Sequence, residues 1–268
     1  MGRVQELEPG VQSIALTRDF RLLQKRRGHR YSVDDMLVGH LAATRGGAPR
    51  RVLDLGCGLG SVLLITAWAL PDAALVGLEL NPEQAAFARR SVRLNGCEGR
   101  VRVVEGDLRD RALVESLGRF DLVTGSPPYF PAGTGTPCAD AARAAAHFEL
   151  HGGVEEYALA AHGALAPGGR FATCAGAAPA GRARRALERA GLAVRYRREV
   201  LPREGKPPFL SLWVCEPAGA PAAAPEEEAP PLVLRLADGR RSAEHVAIRA
   251  WTGASREGAR PPSATRAP

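Results

Sequence analysis

The stretch RVLDLGCGLGS, Arg51 to Ser61, joins a short apolar strand to a glycine-rich loop. The run that follows, Ser61 to Leu70, is largely apolar and has the length of a buried helix. A strand that passes through a glycine-rich turn into a helix is typical of α/β proteins, where backbone N–H groups and the helix N-terminus face a ligand. The stretch therefore predicts the first strand–helix unit of an α/β sheet, with a binding site at its end.

Strand-like and helix-like segments alternate along the rest of the chain. The short segments RVLDLG, ALVGLEL, RVRVVEGD, FDLVTG and GRFATCAG predict strands, and the segments 61–70, 82–94, 155–165 and 180–190 predict helices. This alternation indicates a parallel sheet with helices on both faces. LAVRYRREV and FLSLWVC, late in the pattern, predict an antiparallel hairpin.

The spacing of the glycines distinguishes between two classes of ligand. A dinucleotide-binding loop that begins with Gly56 and Gly58 requires a third glycine at position 61, where this chain has Ser61. The arrangement Asp54-x-Gly56-x-Gly58-x-Gly60 instead fits the tighter loop of enzymes that use S-adenosylmethionine. A glycine-rich loop alone is weak evidence, so the prediction depends on the residues that follow it.

Two carboxylates follow at the ends of the next two predicted strands. Glu79 ends ALVGLEL, where a carboxylate can accept hydrogen bonds from both hydroxyls of a ribose. Asp107 ends RVRVVEGD, where it can accept a hydrogen bond from an adenine amino group. Either acid alone is most simply a solvated side chain at a strand end. Their occurrence together after the loop predicts a site for S-adenosylmethionine.

The segment FDLVTGSPPYF, residues 120–130, ends a predicted buried strand with two prolines. Such a pair often does no more than terminate a strand, because proline cannot donate a backbone hydrogen bond. At the end of the fourth strand, however, Ser126 and the Pro127 carbonyl can hold the two hydrogens of an aromatic amino group in line with a methyl donor. Pro128 adds stiffness to the loop, and Tyr129 can stack on the flipped-out base.

Composition and charge narrow the class of protein. The 268-residue chain can bury a substantial core, and its 36 Lys and Arg against 29 Asp and Glu give a net charge of +7. The first residues lack the core of a signal peptide, and no apolar run approaches the roughly 20 residues of a membrane span. The five cysteines form no Cys-x-x-Cys pair, so neither a disulfide framework nor a metal site is predicted. We expect a cytoplasmic monomer with reduced, buried thiols.

Two arginine-rich segments flank the predicted site. RDFRLLQKRRGHRY, residues 18–31, contains Arg26, Arg27 and Arg30. GRARRALERAGLAVRYRRE, residues 181–199, contains a second set: Arg182, Arg185, Arg189, Arg195, Arg197 and Arg198. Either segment alone is most simply a solvated face. Together they favour RNA over a small molecule as the substrate.

The motifs DLGCGLG, LEL, EGD and SPPY, in this order, resemble those of S-adenosylmethionine-dependent amino methyltransferases, whose usual tetrapeptide is Asn/Asp-Pro-Pro-Tyr. The chain, from roughly Leu16 to Trp251, is similar to the bacterial tRNA adenine-N6 methyltransferases that modify a valine tRNA beside its anticodon. KRRGHRYSVDDMLVGHL, ARAAAHFEL and LVLRLADGRRSAEHVAIRAW extend the resemblance beyond the core. Ser126 departs from the family's Asn, and its shorter reach leaves slower catalysis or a different substrate open.

The resemblance implies an α/β, Rossmann-like class I methyltransferase fold, with a mostly parallel seven-stranded sheet and helices on both faces. It implies S-adenosylmethionine as cofactor, for which the candidate binding residues are Asp34, Asp54, Gly56, Gly58, Gly60, Glu79 and Asp107. The candidate catalytic residues are Ser126, Pro127, Pro128 and Tyr129. A tRNA partner is implied, and the candidate contacts to it are Arg26, Arg27, Arg30, Arg143 and His147.

The predicted organisation has five parts. They are an N-terminal segment beside the site (1–45), the methyltransferase core (46–215), a Pro/Ala/Glu linker (216–231), a closing strand and helix (232–252) and a disordered tail (253–268). The predicted function is N6-methylation of an adenine in tRNA. The alternatives are methylation of a protein glutamine or of a small-molecule amine, and a weakly catalytic pseudoenzyme that binds cofactor or RNA.

Overall fold

The computed structural model describes residues 7–28, 30–129, 149–219 and 225–253. Its strands there are β1 (Val11–Ala15), β2 (Arg21–Lys25), β3 (Arg51–Leu55), β4 (Ala74–Glu79), β5 (Val101–Glu105), β6 (Phe120–Gly125), β7 (Leu165–Gly176), β8 (Leu192–Leu201), β9 (Leu210–Pro217) and β10 (Glu227–Val233). Its helices there are α1 (Val33–Arg45), α2 (Ser61–Ala69), α3 (Pro82–Leu94), α4 (Arg111–Ser116), α5 (Val154–Ala164), α6 (Arg182–Arg189) and α7 (Ala243–Thr252).

Within the described ranges, one eight-stranded sheet has the strand order β10-β8-β9-β7-β6-β3-β4-β5. All of its neighbouring pairs are parallel except the two made by β9, which is antiparallel to β7 and β8. The chain moves from β3 to β4 on one side and later returns to β6 on the other, which opens a crevice at the carboxyl end of β3. The predicted α/β, Rossmann-like, mostly parallel sheet is confirmed, with eight strands in place of seven.

Helices cover both faces of the sheet and divide the core into two layers. On one face, α1, α2 and α3 bury Leu37, Leu63 and Phe87. On the other face, α4, α5 and α6 bury side chains that include Tyr157 and Leu187. The two layers hold the sheet from both sides and leave the carboxyl ends of the strands open to a ligand.

Local sequence sets the helix boundaries. Asn81 caps α3 by accepting hydrogen bonds from two backbone N–H groups of the first turn, and Pro82 occupies the first helical position, where its missing N–H costs nothing. Ser242 caps α7 by accepting a hydrogen bond from the His245 backbone N–H at 3.1 Å. Gly253, with φ of +75°, ends that helix.

Much of the segment predicted as a linker, 216–231, belongs to the sheet. Glu216 ends β9, and β10 pairs in parallel with β8. An Arg45–Glu227 ion pair of 2.6 Å and an Arg197–Glu228 ion pair anchor this outermost strand. The linker prediction was wrong for these residues, because an edge strand tolerates proline, whose missing N–H removes no ladder bond on the open side. Residues 220–224 and the predicted tail from 254 lie outside the described part.

The N-terminal segment forms an antiparallel β1–β2 hairpin followed by α1, neither of which the periodicity predicted. The hairpin docks on α3, where the Leu23 backbone N–H donates to Ser91 Oγ at 3.0 Å. No described helix is both long and apolar enough to cross a membrane. The described cysteines are buried free thiols, and Cys138 lies outside the described residues.

Candidate functional site

A cavity of about 430 Å³ opens at the carboxyl ends of β3, β4, β5 and β6. This volume suits a ligand of nucleoside size, since small-molecule sites span roughly 300–1,000 Å³. Most of the predicted cofactor residues line it: Asp34, Asp54, Gly56, Gly58, Glu79 and Asp107. Gly60 does not line the cavity; it has φ of +86° and opens α2 behind the loop.

The glycine loop is held by a carboxylate and a buried tyrosine. Glu79 accepts hydrogen bonds from the Gly58 N–H at 2.8 Å and from the Asn81 N–H at 2.7 Å. Burial raises the pKa of Glu79, and these backbone donors lower it in part. Gly56 has φ of +57°, and a Cβ there would lie 1.9 Å from the hydroxyl oxygen of Tyr157. Position 56 therefore requires glycine for both backbone and steric reasons.

Asp54 carries a buried carboxylate on the cavity wall. Thr124 Oγ1 donates to Asp54 Oδ1 at 2.7 Å, while Oδ2 is buried without a hydrogen-bond partner among the described residues. Burial raises the pKa of Asp54 to about 7. A buried acceptor without a partner is costly, so this wall of the cavity suits a ligand that donates hydrogen bonds or carries positive charge.

The first turn of α1 adds two more carboxylates to the same wall. Asp34 is half-buried and lines the cavity, and the neighbouring Asp35 is buried. Asp35 Oδ2 accepts hydrogen bonds from Ser61 Oγ at 2.8 Å and from the Ser32 N–H at 3.3 Å. Burial, and then the charge of Asp34, raise the pKa of Asp35 to about 7. The N-terminal segment therefore faces the site, and Asp34 lies on the cavity wall, as predicted. The helix that places it there, α1, was not predicted from the sequence.

Asp107, the predicted acceptor for an adenine amino group, lies on the cavity wall in a close pair with Arg109. The Arg109 side chain donates to both carboxylate oxygens, at 2.6 Å from Nη2 to Oδ2. These hydrogen bonds from Arg109 lower the pKa of Asp107. Asp107 therefore stays ionised on the cavity wall.

The predicted catalytic loop leaves β6 beside the glycine loop of β3. Ser126, Pro128 and Tyr129 are half-buried and line the cavity, whereas Pro127 is buried and lines a small crevice behind it. Ser126 Oγ lies 3.5 Å from the buried Cys174 Sγ, within hydrogen-bonding distance for sulfur. Burial raises the pKa of Tyr129, so its hydroxyl stays protonated.

The sequence reasoning missed several lining residues, among them Asp35, Tyr157 and His151. Tyr157 lies on α5 and reaches under the glycine loop, but in the sequence it is one apolar residue of a predicted helix. His151 is exposed at the mouth of the cavity. No spacing rule connects either residue with a loop about 100 positions earlier, and only Asp35, next to a predicted site residue, had a local signal.

The predicted RNA contacts divide into three groups. Arg30 lines the cavity, and Arg26 and Arg27 are exposed on the turn before it. Arg143 and His147 lie outside the described residues. In the segment 181–199, carboxylates pair with most of the arginines and offset their charge, so RNA binding by this segment stays a prediction. The pairs there include Arg182–Glu149, Arg182–Glu155, Arg195–Glu216, Arg197–Glu199 and Arg198–Glu244.

The charge of the cavity decides between the candidate ligands. The carboxylates on its wall outnumber its cations, of which Arg30 is the one arginine among the described lining residues. The phosphates of a dinucleotide would face this negative wall unfavourably. S-adenosylmethionine carries a cationic sulfonium and an ammonium, and its ribose and adenine donate hydrogen bonds. The residues present therefore fit S-adenosylmethionine.

Comparison with known proteins agrees with this site. Residues 52–147 match the family model described as a methyltransferase domain. Over 147 residues the chain is 32% identical to the tRNA1(Val) (adenine(37)-N6)-methyltransferase of Porphyromonas gingivalis, covering 53% of this chain and 57% of that protein. Over 100 residues it is 37% identical to the release factor glutamine methyltransferase of Geobacter sulfurreducens, covering 37% of this chain and 33% of that protein. The chain thus spans little more than half the length of the first relative.

The fold also resembles a crystal structure of a predicted O-methyltransferase from Agrobacterium tumefaciens. The TM-score is 0.58 at 22% identity, over 81% of this chain and 95% of that chain. At this identity the likeness concerns the fold alone. The fold is Rossmann-like, residues 52–147 match a methyltransferase domain, and the cavity residues fit S-adenosylmethionine. Relatives from several bacteria carry the name of tRNA1(Val) adenine-N6 methyltransferases.

Proposed function

We propose that this protein methylates N6 of an adenine in tRNA with S-adenosylmethionine as the methyl donor. The observation that carries the proposal is the position of Ser126, on the cavity wall at the end of β6, where β6 pairs with the glycine-loop strand β3. The similarity to relatives named as tRNA1(Val) adenine-N6 methyltransferases supports tRNA as the substrate. A tRNA substrate places the enzyme in the cytoplasm.

The cofactor residues have separate tasks in this proposal. When bound, S-adenosylmethionine supplies an electrophilic methyl group on a sulfonium. Gly56 and Gly58 let the backbone approach the ligand closely, and Glu79 offers its remaining lone pairs to the ribose hydroxyls. Asp54 presents the unpartnered Oδ2 to a donor, and Asp107 accepts from the adenine amino group. The negative wall favours the cationic ligand over its neutral product.

Ser126 and Tyr129 act on the methyl acceptor. The lone pair of an aromatic amino group is delocalised into the ring, so the group must be held in a pyramidal geometry that faces the methyl. Ser126 Oγ accepts one amino hydrogen and fixes the nitrogen in line. The Cys174 thiol, 3.5 Å behind it, restricts the rotation of this hydroxyl. Tyr129 offers an aromatic face to the base, and stacking of this kind contributes about 1–3 kcal/mol.

The proposal is tested by single-turnover transfer of labelled methyl to bulk tRNA, followed by nucleoside analysis. We expect label in N6-methyladenosine, and a rate that falls with Ser126→Ala. The similarity to a release factor glutamine methyltransferase favours a second candidate, methylation of a protein glutamine. Label that enters release factors and not tRNA would reject the first proposal in favour of the second.

A further inference from the structure

Two surface turns carry a group of cations that the proposed mechanism does not use. The first turn, residues 202–209, follows β8, and the second, residues 234–242, follows β10. Five exposed side chains on these turns, which we call the turn cluster, are Arg203, Lys206, Arg235, Arg240 and Arg241. Sequence reasoning did not single them out, because they come from two separate segments of the chain.

Sheet topology places the turn cluster on the same edge as the cavity. Because β9 is antiparallel to both β7 and β8, strand β8 runs parallel to β6, and β10 runs parallel to β8. The turns after β8 and β10 therefore lie at the edge where β6 ends in the catalytic loop. Neighbouring strands are about 4.8 Å apart, so the three spacings from β6 to β8 put the first turn roughly 14 Å to the side of that loop, measured across the sheet. The fourth spacing, to β10, puts the second turn roughly 19 Å away. A single nucleoside is too short to contact both places, so a shared ligand must be a polymer.

Backbone hydrogen bonds join the two turns into one unit. The Glu204 N–H donates to the Arg235 carbonyl at 2.8 Å, and the Ala237 N–H donates to the Glu204 carboxylate at 3.0 Å. The Arg235 guanidinium donates to the Gly239 carbonyl at 2.8 Å, and Arg235 forms a β-bridge with Arg241. The cations are therefore presented by an ordered backbone, which lowers the entropic cost of binding.

The carboxylates on these turns do not neutralise the cluster. Asp238 pairs with Arg240 at 2.6 Å, and Glu204 is engaged by the backbone of the second turn. Within the described residues, no ion pair involves the other four cations, which are Arg203, Lys206, Arg235 and Arg241. This contrasts with the paired arginines of the segment 181–199.

His245, buried under the second turn, experiences the same positive charge. Its Nδ1 lies 2.9 Å from the Leu234 carbonyl oxygen. Burial lowers its pKa, and Arg249, Arg241 and Arg235 lower it further. A concentration of like charges on one edge is unfavourable until an anion neutralises it, and a polyanion does so while releasing its counter-ions.

We propose that the turn cluster is a second contact surface for the RNA substrate, which binds phosphates of nucleotides that flank the target base. The identity of the polymer as tRNA rests on the proposed function. Phosphate contacts orient a nucleic acid without reading its sequence, so this surface acts on affinity and orientation and not on methyl transfer itself. In this proposal the turn cluster, and not the arginine-rich segment 181–199, binds RNA together with Arg26, Arg27 and Arg30.

The test compares two triple variants that remove the same charge from opposite edges of the sheet. The cluster variant is Arg203→Gln, Lys206→Gln and Arg241→Gln, which leaves Arg235 in its structural hydrogen bond. The matched control is Arg50→Gln, Arg93→Gln and Arg102→Gln, all exposed and at or near the amino edge. The affinity of each protein for unmodified bulk tRNA is measured by fluorescence anisotropy at several salt concentrations. Melting temperature and S-adenosylmethionine affinity show whether each variant is folded. If the triple cluster variant does not fold, the single variant Lys206→Gln is measured in its place.

We expect the cluster variant to bind tRNA roughly tenfold more weakly, with a salt slope reduced by about 0.7–0.9 for each lost phosphate contact. The control should keep the wild-type slope. Equal salt slopes in the cluster variant and the control would overturn the proposal that the turn cluster binds RNA. If the cluster variant has a reduced salt slope but the wild-type protein forms no N6-methyladenosine, the RNA surface is supported and the proposed function is rejected. If the wild-type protein forms N6-methyladenosine but the cluster variant keeps the wild-type slope, the proposed function is supported and the RNA surface is rejected.

Discussion

Replacement of Gly56 by alanine tests how closely the glycine loop fits against the helix behind it. A Cβ at this position would lie 1.9 Å from the Tyr157 hydroxyl oxygen and 2.9 Å from its Cζ. Contacts of Cβ atoms below 3.0 Å essentially do not occur, so the loop and Tyr157 must separate by more than about 1 Å. Both form the cavity wall, and a 1 Å displacement of positioning groups costs on the order of 10²-fold in rate.

The backbone contributes separately to the cost, and the chain contains a control for it. Gly56 has φ of +57°, and alanine in this left-handed region costs about 1–2 kcal/mol. Gly96 has φ of +63°, but a Cβ there would have nothing within 4 Å. Gly96→Ala therefore carries the backbone cost without the clash. We expect both variants to lose stability in chemical denaturation, and Gly56→Ala alone to lose affinity for S-adenosylmethionine, by roughly tenfold, in titration calorimetry.

Removal of the tyrosine hydroxyl completes the test. In the double variant Gly56→Ala/Tyr157→Phe, the nearest remaining ring atom is Cζ, which lies 2.9 Å from the Cβ position of residue 56, so a shift of about 0.5 Å gives an ordinary van der Waals contact. We expect the double variant to recover affinity, with a coupling energy of about 0.5–3 kcal/mol relative to the single variants. Equal affinity losses for Gly56→Ala and Gly96→Ala, or no recovery on removal of the hydroxyl, would refute the steric reasoning.

Three further predictions concern the carboxylates and the catalytic loop. Ser126→Ala should lower the single-turnover methyl-transfer rate by about 10²–10³-fold with cofactor affinity unchanged. Ser126→Asn should preserve or raise activity on adenine. A wild-type rate for the alanine variant would mean that the loop only terminates strand β6. Glu79→Gln should weaken S-adenosylmethionine binding by about 1.5–3 kcal/mol in calorimetry, and an unchanged dissociation constant in a folded variant removes Glu79 from the site. The pKa of Asp54 rises on folding from 3.8 to about 7, so the folded protein holds the extra proton between these values. Its stability should therefore fall, relative to Asp54→Asn, as pH rises from about 4 to 7; parallel melting-temperature profiles would contradict this.

Local sequence was sufficient for much of the fold and for the parts of the site at strand ends. The strand–glycine loop–helix unit at Arg51–Ser61, the acids Glu79 and Asp107, and the Ser126 loop each depend on a few adjacent residues with clear periodicity or turn chemistry. In a parallel sheet such strand ends converge on one edge, so their proximity follows once the alternation of strands and helices is recognised.

The remaining features depend on which distant segments become neighbours. Residues 227–231 have the composition of a linker, and they belong to strand β10 because β8 offers an open edge and Arg45 and Arg197 offer partners. Tyr157 reaches the glycine loop because α5 packs across β3 and β6, an arrangement that no local spacing records. The arginines of 181–199 look free in the sequence, but folding brings carboxylates to most of them and leaves four described cations on the turns after β8 and β10 without an ion pair. Strand order and charge pairing are long-range properties, and for this reason the tertiary structure alone decided them.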